Sequence, residues 1–208
     1  MLFQIIVFDG FDELDAIAPF EVLRNAAAAG ADARVELVTL GGAREVTASH
    51  GLRVSVSGRL GEGEGEGERP DVVIVAGGGW NNRAPHGTRA EVASGAIPAA
   101  LARLHGEGAL VATVCTGAML AAAAGLTTGR PATTHHGAIA DMRESGAEIV
   151  EARVVDDGDL VSAGGVTSGL DLALWLVERF FGAEIERSVE RTLEYERRGP
   201  VWRRMQAS

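Results

Sequence analysis

The chain has 208 residues, of which 46% are hydrophobic and 5% aromatic, with 28 glycines. That is enough apolar mass for one substantial core, and it excludes a disordered polymer. A formal net charge of −10 repels phosphate backbones and argues against nucleic acid as a direct partner.

Leu2 to Phe8 is an apolar run ending in Asp9-Gly10 and is predicted as a buried first strand. A helical pattern follows from Asp12 to Ala29, with Leu14, Ile17, Phe20 and Leu23 on one stripe and Gly30 as the stop. Pro19 suits a first turn and breaks an interior, so the helix proper is expected to begin there, with Asp15 on the loop before it. Arg34 to Leu40 reads as a second strand, and Val46-Thr47 with Leu52 to Val56 as a small hairpin. The GEGEGEGE stretch (61–68) reads as a solvated surface loop whose glycine spacing builds no metal cage. Asp71 to Ala76 is a strand running into Gly77-Gly78-Gly79, a helical region lies between Arg89 and His105, and Ala109 to Val114 is the next strand. Thr116 to Ala124 is a small-residue helix, Ala132 to Thr134 a short strand, and a helix runs on to about Ser145. Glu148 to Val155 and Asp159 to Ser162 read as two strands around Asp156-Asp157-Gly158. Helices then run from Thr167 to Phe181 and from Ala183 to about Tyr195. Strands alternating with helices predict one α/β domain over 1–195 with a mostly parallel sheet. Residues 196–208, with Arg197, Arg198, Arg203 and Arg204, read as a solvated basic tail.

No apolar run reaches the roughly 18 residues of a membrane span, so no membrane partner is expected. The opening MLFQIIVFDG has no basic n-region or small-residue cleavage site, so no secretory signal is expected. The expected compartment is the cytoplasm, where a lone thiol stays reduced.

Cys115 is the single cysteine, and it excludes an intramolecular disulfide. It stands where an apolar strand stops and a helix of small residues starts. A thiol on such a turn is exposed to backbone N–H groups that favour the thiolate, the nucleophilic form. Gly77 and Gly78 also end a strand. If the two strands are neighbours, their amides and the N–H of Thr116 form a nest of donors for developing negative charge. Asp15 lies on the same rim and can exchange a proton with the thiol or a substrate, with Asp9, Asp12 and Glu13 as competitors. His135 and His136 are candidate bases, but adjacent side chains diverge, so at most one faces the site. There is no HExxH or CxxC, and no metal is expected.

Four segments carry a resemblance that spans nearly the whole chain: LDAIAPFEVL (14–23), VVIVAGGG (72–79), VCTGAMLAAAAGLTTGRPATTH (114–135) and ARVVDDGDLVSAGGVTSGLDLALWLVE (152–178). They resemble the ThiJ/PfpI superfamily, and within it the branch of isonitrile hydratases and of the sensor domains of AraC-type regulators. The resemblance implies a flavodoxin-like three-layer α/β sandwich and a homodimer. It implies that Cys115 is the elbow nucleophile, that Asp15 is its acid, that Thr116 follows the cysteine as in that branch, and that Gly77 and Gly78 are oxyanion-side glycines. His135 matches a residue that supports the site rather than reacting. The chain departs from protease-like members, which place a histidine where Thr116 stands. It departs from redox-protective and glyoxalase-like members, which carry a histidine near Glu148, and from the family proline at Ala76.

The implied activity is hydration of a small isonitrile to an N-substituted formamide, with no cofactor. The alternatives are a ligand-sensing or regulatory module and a thiol-based stress protein. No DNA-binding part is expected, because Arg197 to Ser208 cannot hold two packed helices.

Overall fold

In the computed structural model, residues 1–204 are described except Ala43, Ser57, Glu64 and Glu66. The first strand, β1 (Leu2–Ile6), is buried along its whole length, as expected of a strand covered on both faces. It leads into α1 (Glu13–Ala28), β2 (Arg34–Thr39), β3 (Arg44–Thr47), β4 (Arg53–Val56), β5 (Gly58–Arg59) and β6 (Val72–Val75). Then come α2 (Thr88–Ser94), α3 (Ala96–Gly106), β7 (Leu110–Val114), α4 (Ala118–Ala123), β8 (Pro131–Ala132), α5 (Ile139–Glu144) and β9 (Glu148–Ile149). The chain continues through β10 (Val154–Asp156), β11 (Leu160–Ala163), α6 (Ser168–Phe181), α7 (Ala183–Leu193) and β12 (Trp202–Arg203).

Eight strands form one sheet in the order β12-β10-β11-β7-β6-β1-β2-β5. Every pairing in it is parallel except the β10–β11 hairpin. Helices α1, α6 and α7 pack on one another, as do α2, α3 and α4, and these two helical layers cover the sheet. This is the three-layer, mostly parallel sandwich expected from the sequence. β6 and β7 are neighbours, with Val75 opposite Thr113, so the glycine run and the cysteine leave the sheet side by side. Connections leave β1 toward β2 but β6 toward β7, so the order reverses between β1 and β6. Ligands of open α/β sheets collect at such a switch point.

Two expectations are corrected. α1 begins at Glu13, not Pro19, because the Asp12 side chain caps it, accepting from the Leu14 N–H at 3.3 Å. Pro19 lies inside the helix, packed against α6, where a Cβ added to Gly169 would lie 3.4 Å from Pro19 Cδ. The single strand expected over Glu148 to Val155 is two. β9 pairs with β8 in a small separate sheet, and the chain crosses to the main sheet before β10.

The basic C-terminal segment does not run free. Arg197 pairs with Glu178 at 2.5 Å, Arg204 with Asp157 at 2.6 Å, and β12 pairs with the edge of β10. Residues 205–208 of that segment lie outside the described residues, as do Glu64 and Glu66 of the GEGEGEGE stretch. The ends of that stretch are tied down: Gly61 N–H donates to Gln4 Oε1 at 2.8 Å, and Arg34 pairs with Glu68 at 2.5 Å. Among the described residues no helix is long and apolar enough to cross a membrane.

Candidate active site

β7 ends on Val114 in extended backbone, and the next residue turns at once into a single 3₁₀ turn, Cys115–Gly117, that opens α4. Cys115 stands at φ +56°, where a non-glycine residue costs about 1–3 kcal/mol and must be held by its surroundings. Two hydrogen bonds hold it. Its N–H donates to the Gly164 carbonyl at 3.0 Å, and its carbonyl accepts from Thr134 Oγ1 at 2.9 Å. The turn then packs backbone to backbone on the glycine run. A Cβ on Gly117 would lie 2.2 Å from the Val75 carbonyl oxygen, and one on Gly77 would lie 2.6 Å from the Thr116 nitrogen. No side chain fits at either place. The strand-to-helix elbow predicted from the apolar run and small residues is present, and the thiol at its tip is 5% exposed.

Asp15 reaches this point from the first turn of α1 and is 0% exposed. Its Oδ2 accepts from the Gly77 N–H at 3.0 Å, while Oδ1 is buried with no hydrogen-bond partner. Burial, joined by the nearby Asp12 charge, pushes the carboxyl up to about 8, against the lowering pull of the Gly77 N–H and the Cys115 thiol. At neutral pH Asp15 is therefore a protonated acid.

The thiol departs from expectation. Burial and then the Asp15 charge push Cys115 up, above the usual range of a thiol. The Thr116 N–H does favour the thiolate, as the turn geometry predicts, but it is outweighed. Sulfur and carboxyl thus form a coupled pair that holds its protons.

The glycine amides also have other work than expected. Gly77 N–H is used by Asp15, and Gly78 N–H donates to Thr116 Oγ1 at 2.9 Å. They fix the acid and the residue after the nucleophile instead of standing free as a donor nest. The Thr116 hydroxyl also lies 3.4 Å from Thr88 Oγ1.

His135 caps the 3₁₀ turn His136–Ala138, its Nδ1 accepting from the Gly137 N–H at 3.0 Å and lying 3.0 Å from Asn81 Nδ2. A backbone N–H can only donate, so the ring carries its proton on Nε2. Burial, then the neighbouring His136, lowers its pKa. The two histidines do not diverge as expected. Their rings lie 4.1 Å apart, because the chain bends between them into the turn. Of the competing acids, Asp9 is engaged by Arg44 at 2.9 Å and Glu13 by His50 at 2.7 Å.

Sequence reasoning missed two holders of the elbow, the Gly164 carbonyl and Thr134. Thr134 was visible only as a neighbour of His135. It missed as well that Asp12, which caps α1 and donates its own N–H to the Gly77 carbonyl at 2.8 Å, also acts on the charge of Asp15.

The sequence model of the DJ-1/PfpI family matches residues 3–179. Isonitrile hydratase of Pseudomonas putida is 42% identical over 85 residues, a match covering 41% of this chain and 37% of that protein. Deglycase TK1284 of Thermococcus kodakarensis is 30% identical over 159 residues, covering 76% of this chain and 87% of that one. Among solved structures, a ThiJ/PfpI family protein from Pseudomonas syringae superposes with a TM-score of 0.80 at 25% identity, covering 96% of this chain and 76% of that one.

Proposed function

This chain belongs to the DJ-1/PfpI family, and on that premise we propose that it is a cysteine-dependent hydro-lyase that converts a small isonitrile to an N-substituted formamide. The observation that carries this reading is Asp15, a fully buried acid still protonated at neutral pH beside a thiol on a strand-to-helix elbow. An isonitrile carbon takes up a nucleophile and a proton at the same atom. The Cys115–Asp15 pair presents both together. The stretch of isonitrile hydratase similarity supports the same choice.

In the first step Cys115 Sγ bonds to the isonitrile carbon as the Asp15 carboxyl gives that carbon its proton. The thiol proton passes to the carboxylate, so Asp15 ends the step neutral and the adduct is a thioimidate, R–N=CH–S–Cys115. Water then adds to that carbon, with one of its protons going to nitrogen. The C–S bond breaks, the hydroxyl proton returns to sulfur by way of Asp15, and R–NH–CHO leaves. The Thr116 N–H, which already favours the thiolate, stabilises sulfur as it departs. Gly77 and Gly78 serve by fixing Asp15 and Thr116, and His135 by capping the turn behind the elbow. No cofactor or metal enters any step.

The test is a panel of isonitriles, α-oxoaldehydes and peptides offered to the wild type and to Cys115→Ala. Formamide release from an isonitrile is expected, and its loss in Cys115→Ala. Turnover of α-oxoaldehydes with no formamide from any isonitrile moves the chain to the chemistry of its deglycase-named relatives and sinks hydration. No turnover at all leaves the sensing or stress-protein reading.

We further propose a homodimer, on the family resemblance. Sedimentation at micromolar concentration is expected to give about twice the chain mass of 21.6 kDa, and a monomer there refutes it.

A further inference from the structure

The elbow depends on an acceptor with little stiffness of its own. Cys115 N–H donates to the Gly164 carbonyl, and Gly164 is followed by a second glycine in the loop from β11 to α6. Two glycines in a row leave the backbone freer than other residues would. A Cβ on Gly165 would lie 2.2 Å from His135 Cδ2, so no side chain fits there. The carbonyl must therefore be held in place from outside the loop.

Arg153, just before β10, grips the loop at both ends. Its carbonyl accepts from the Gly164 N–H at 3.0 Å, and its Nη2 donates to Thr167 Oγ1 at 3.0 Å. Thr167 is the N-cap residue of α6, where a threonine hydroxyl ordinarily accepts from a backbone N–H of the first turn. Here the hydroxyl caps nothing and meets the guanidinium instead. The guanidinium is itself fixed by the fully buried Asp171, which accepts from Nε at 2.8 Å and from Nη2 at 2.5 Å. The planar fork meets carboxylate and hydroxyl at set angles, which a flexible ammonium does not.

We propose that Thr167 and Arg153 are positioning residues for Cys115. Together they hold the Gly164 carbonyl on the Cys115 N–H and so keep the thiol in its buried seat beside Asp15. The inference deepens the nucleophile reading above and rests on it for its meaning in catalysis. A residue at φ +56° keeps that conformation only while its neighbours over-determine it. With the carbonyl loose, Cys115 relaxes toward ordinary backbone and its thiol turns away from the acid.

Thr167→Val tests this, because it removes the hydroxyl from an exposed side chain and leaves the Arg153–Asp171 pair intact. Residue-resolved amide hydrogen exchange is expected to quicken about tenfold at Cys115 and to stay as in the wild type at Val111 and Ala112 in β7. Iodoacetamide is expected to alkylate Cys115 about threefold faster at neutral pH, since burial is the chief cause that keeps the thiol protonated. Thr167→Ser, which returns the hydroxyl, is expected to restore both values. Arg153→Lys, which keeps a charge opposite Asp171, is expected to behave as Thr167→Val. Wild-type values at Cys115 in Thr167→Val or Arg153→Lys, for either readout, overturn the proposal. So does a Thr167→Ser that stays as fast as the valine variant. Exchange that quickens evenly over β7 and α6, with a lower urea midpoint, is a general loosening and overturns it too. Neither readout needs turnover. The expected exchange and alkylation in a protein that releases no formamide from any isonitrile sink the hydration reading and leave the positioning of Cys115 standing.

Discussion

Asp15→Asn is expected to lose isonitrile turnover by at least about 10²-fold, the lower end of what a general acid contributes. Asparagine keeps the size of the side chain and an oxygen to accept from Gly77 N–H, so circular dichroism is expected to match the wild type. What disappears is the transferable proton. Two further readouts separate this from a packing defect. First, above about pH 8, where Asp15 is ionised in the wild type, its charge pushes the thiol up, so iodoacetamide is expected to alkylate Asp15→Asn faster than the wild type there and at a similar rate near neutral pH. Second, stability changes its pH dependence. The folded-state pKa of Asp15 is raised, so the fold favours the protonated form. Its contribution is fully present below the unfolded value of 3.8 and is lost as pH climbs through about 8. Asparagine has no such loss. The stability of Asp15→Asn relative to wild type is expected to rise from pH 5.5 to pH 8, by on the order of several kcal/mol. Parallel stability profiles, or full isonitrile turnover, would remove Asp15 from its assigned role.

Asp171→Ala is expected to cost about 3–5 kcal/mol, read as a drop in the urea midpoint at unchanged slope. Asp171 is fully buried in α6 and gathers two separate pieces of chain, the loop before β10 and the segment after α7. Its Oδ2 accepts from Arg153 Nε at 2.8 Å and Nη2 at 2.5 Å. Its Oδ1 accepts from the Tyr195 hydroxyl at 3.0 Å and from the Arg198 N–H at 2.6 Å. Truncation leaves a guanidinium and two donors around an emptied acceptor, the costly half of a broken buried pair. Arg153 also donates to Thr167 Oγ1 at 3.0 Å, and its carbonyl accepts from Gly164 N–H at 3.0 Å. The loop that holds the cysteine thus leans on this pair. Asp171→Asn retains an acceptor for Tyr195 and Arg198 and is expected to cost less. A loss below about 1 kcal/mol for Asp171→Ala would show the pair to be dispensable.

Much of this architecture is legible along the chain because it is local. Apolar runs of a few residues ending in glycine mark β1 and β6, another apolar run marks β7, and the step from Val114 to Cys115 and then to small residues marks the elbow. Parallel neighbours then put Gly77, Asp15 and Cys115 on one rim. What stayed hidden depends on partners far apart in sequence. Nothing near Gly77 or Gly78 says that their amides are taken by Asp15 and Thr116. Nothing in the arginines of the last helix and tail says that Glu178 and Asp157 await them. The proline rule misplaced the start of α1 because the Asp12 cap and packing against α6 outweigh one missing hydrogen bond. The turn at the helix terminus favours the thiolate of Cys115, and burial, which no short motif records, is the larger influence.

Cys115 also sits in backbone territory where glycine is at ease and other residues are not. Its reactivity and its conformation therefore make opposite demands on the same codon. A lineage that no longer used the thiol would gain stability by drifting to glycine at this one position, whereas a lineage that keeps cysteine carries that handicap in every folded copy.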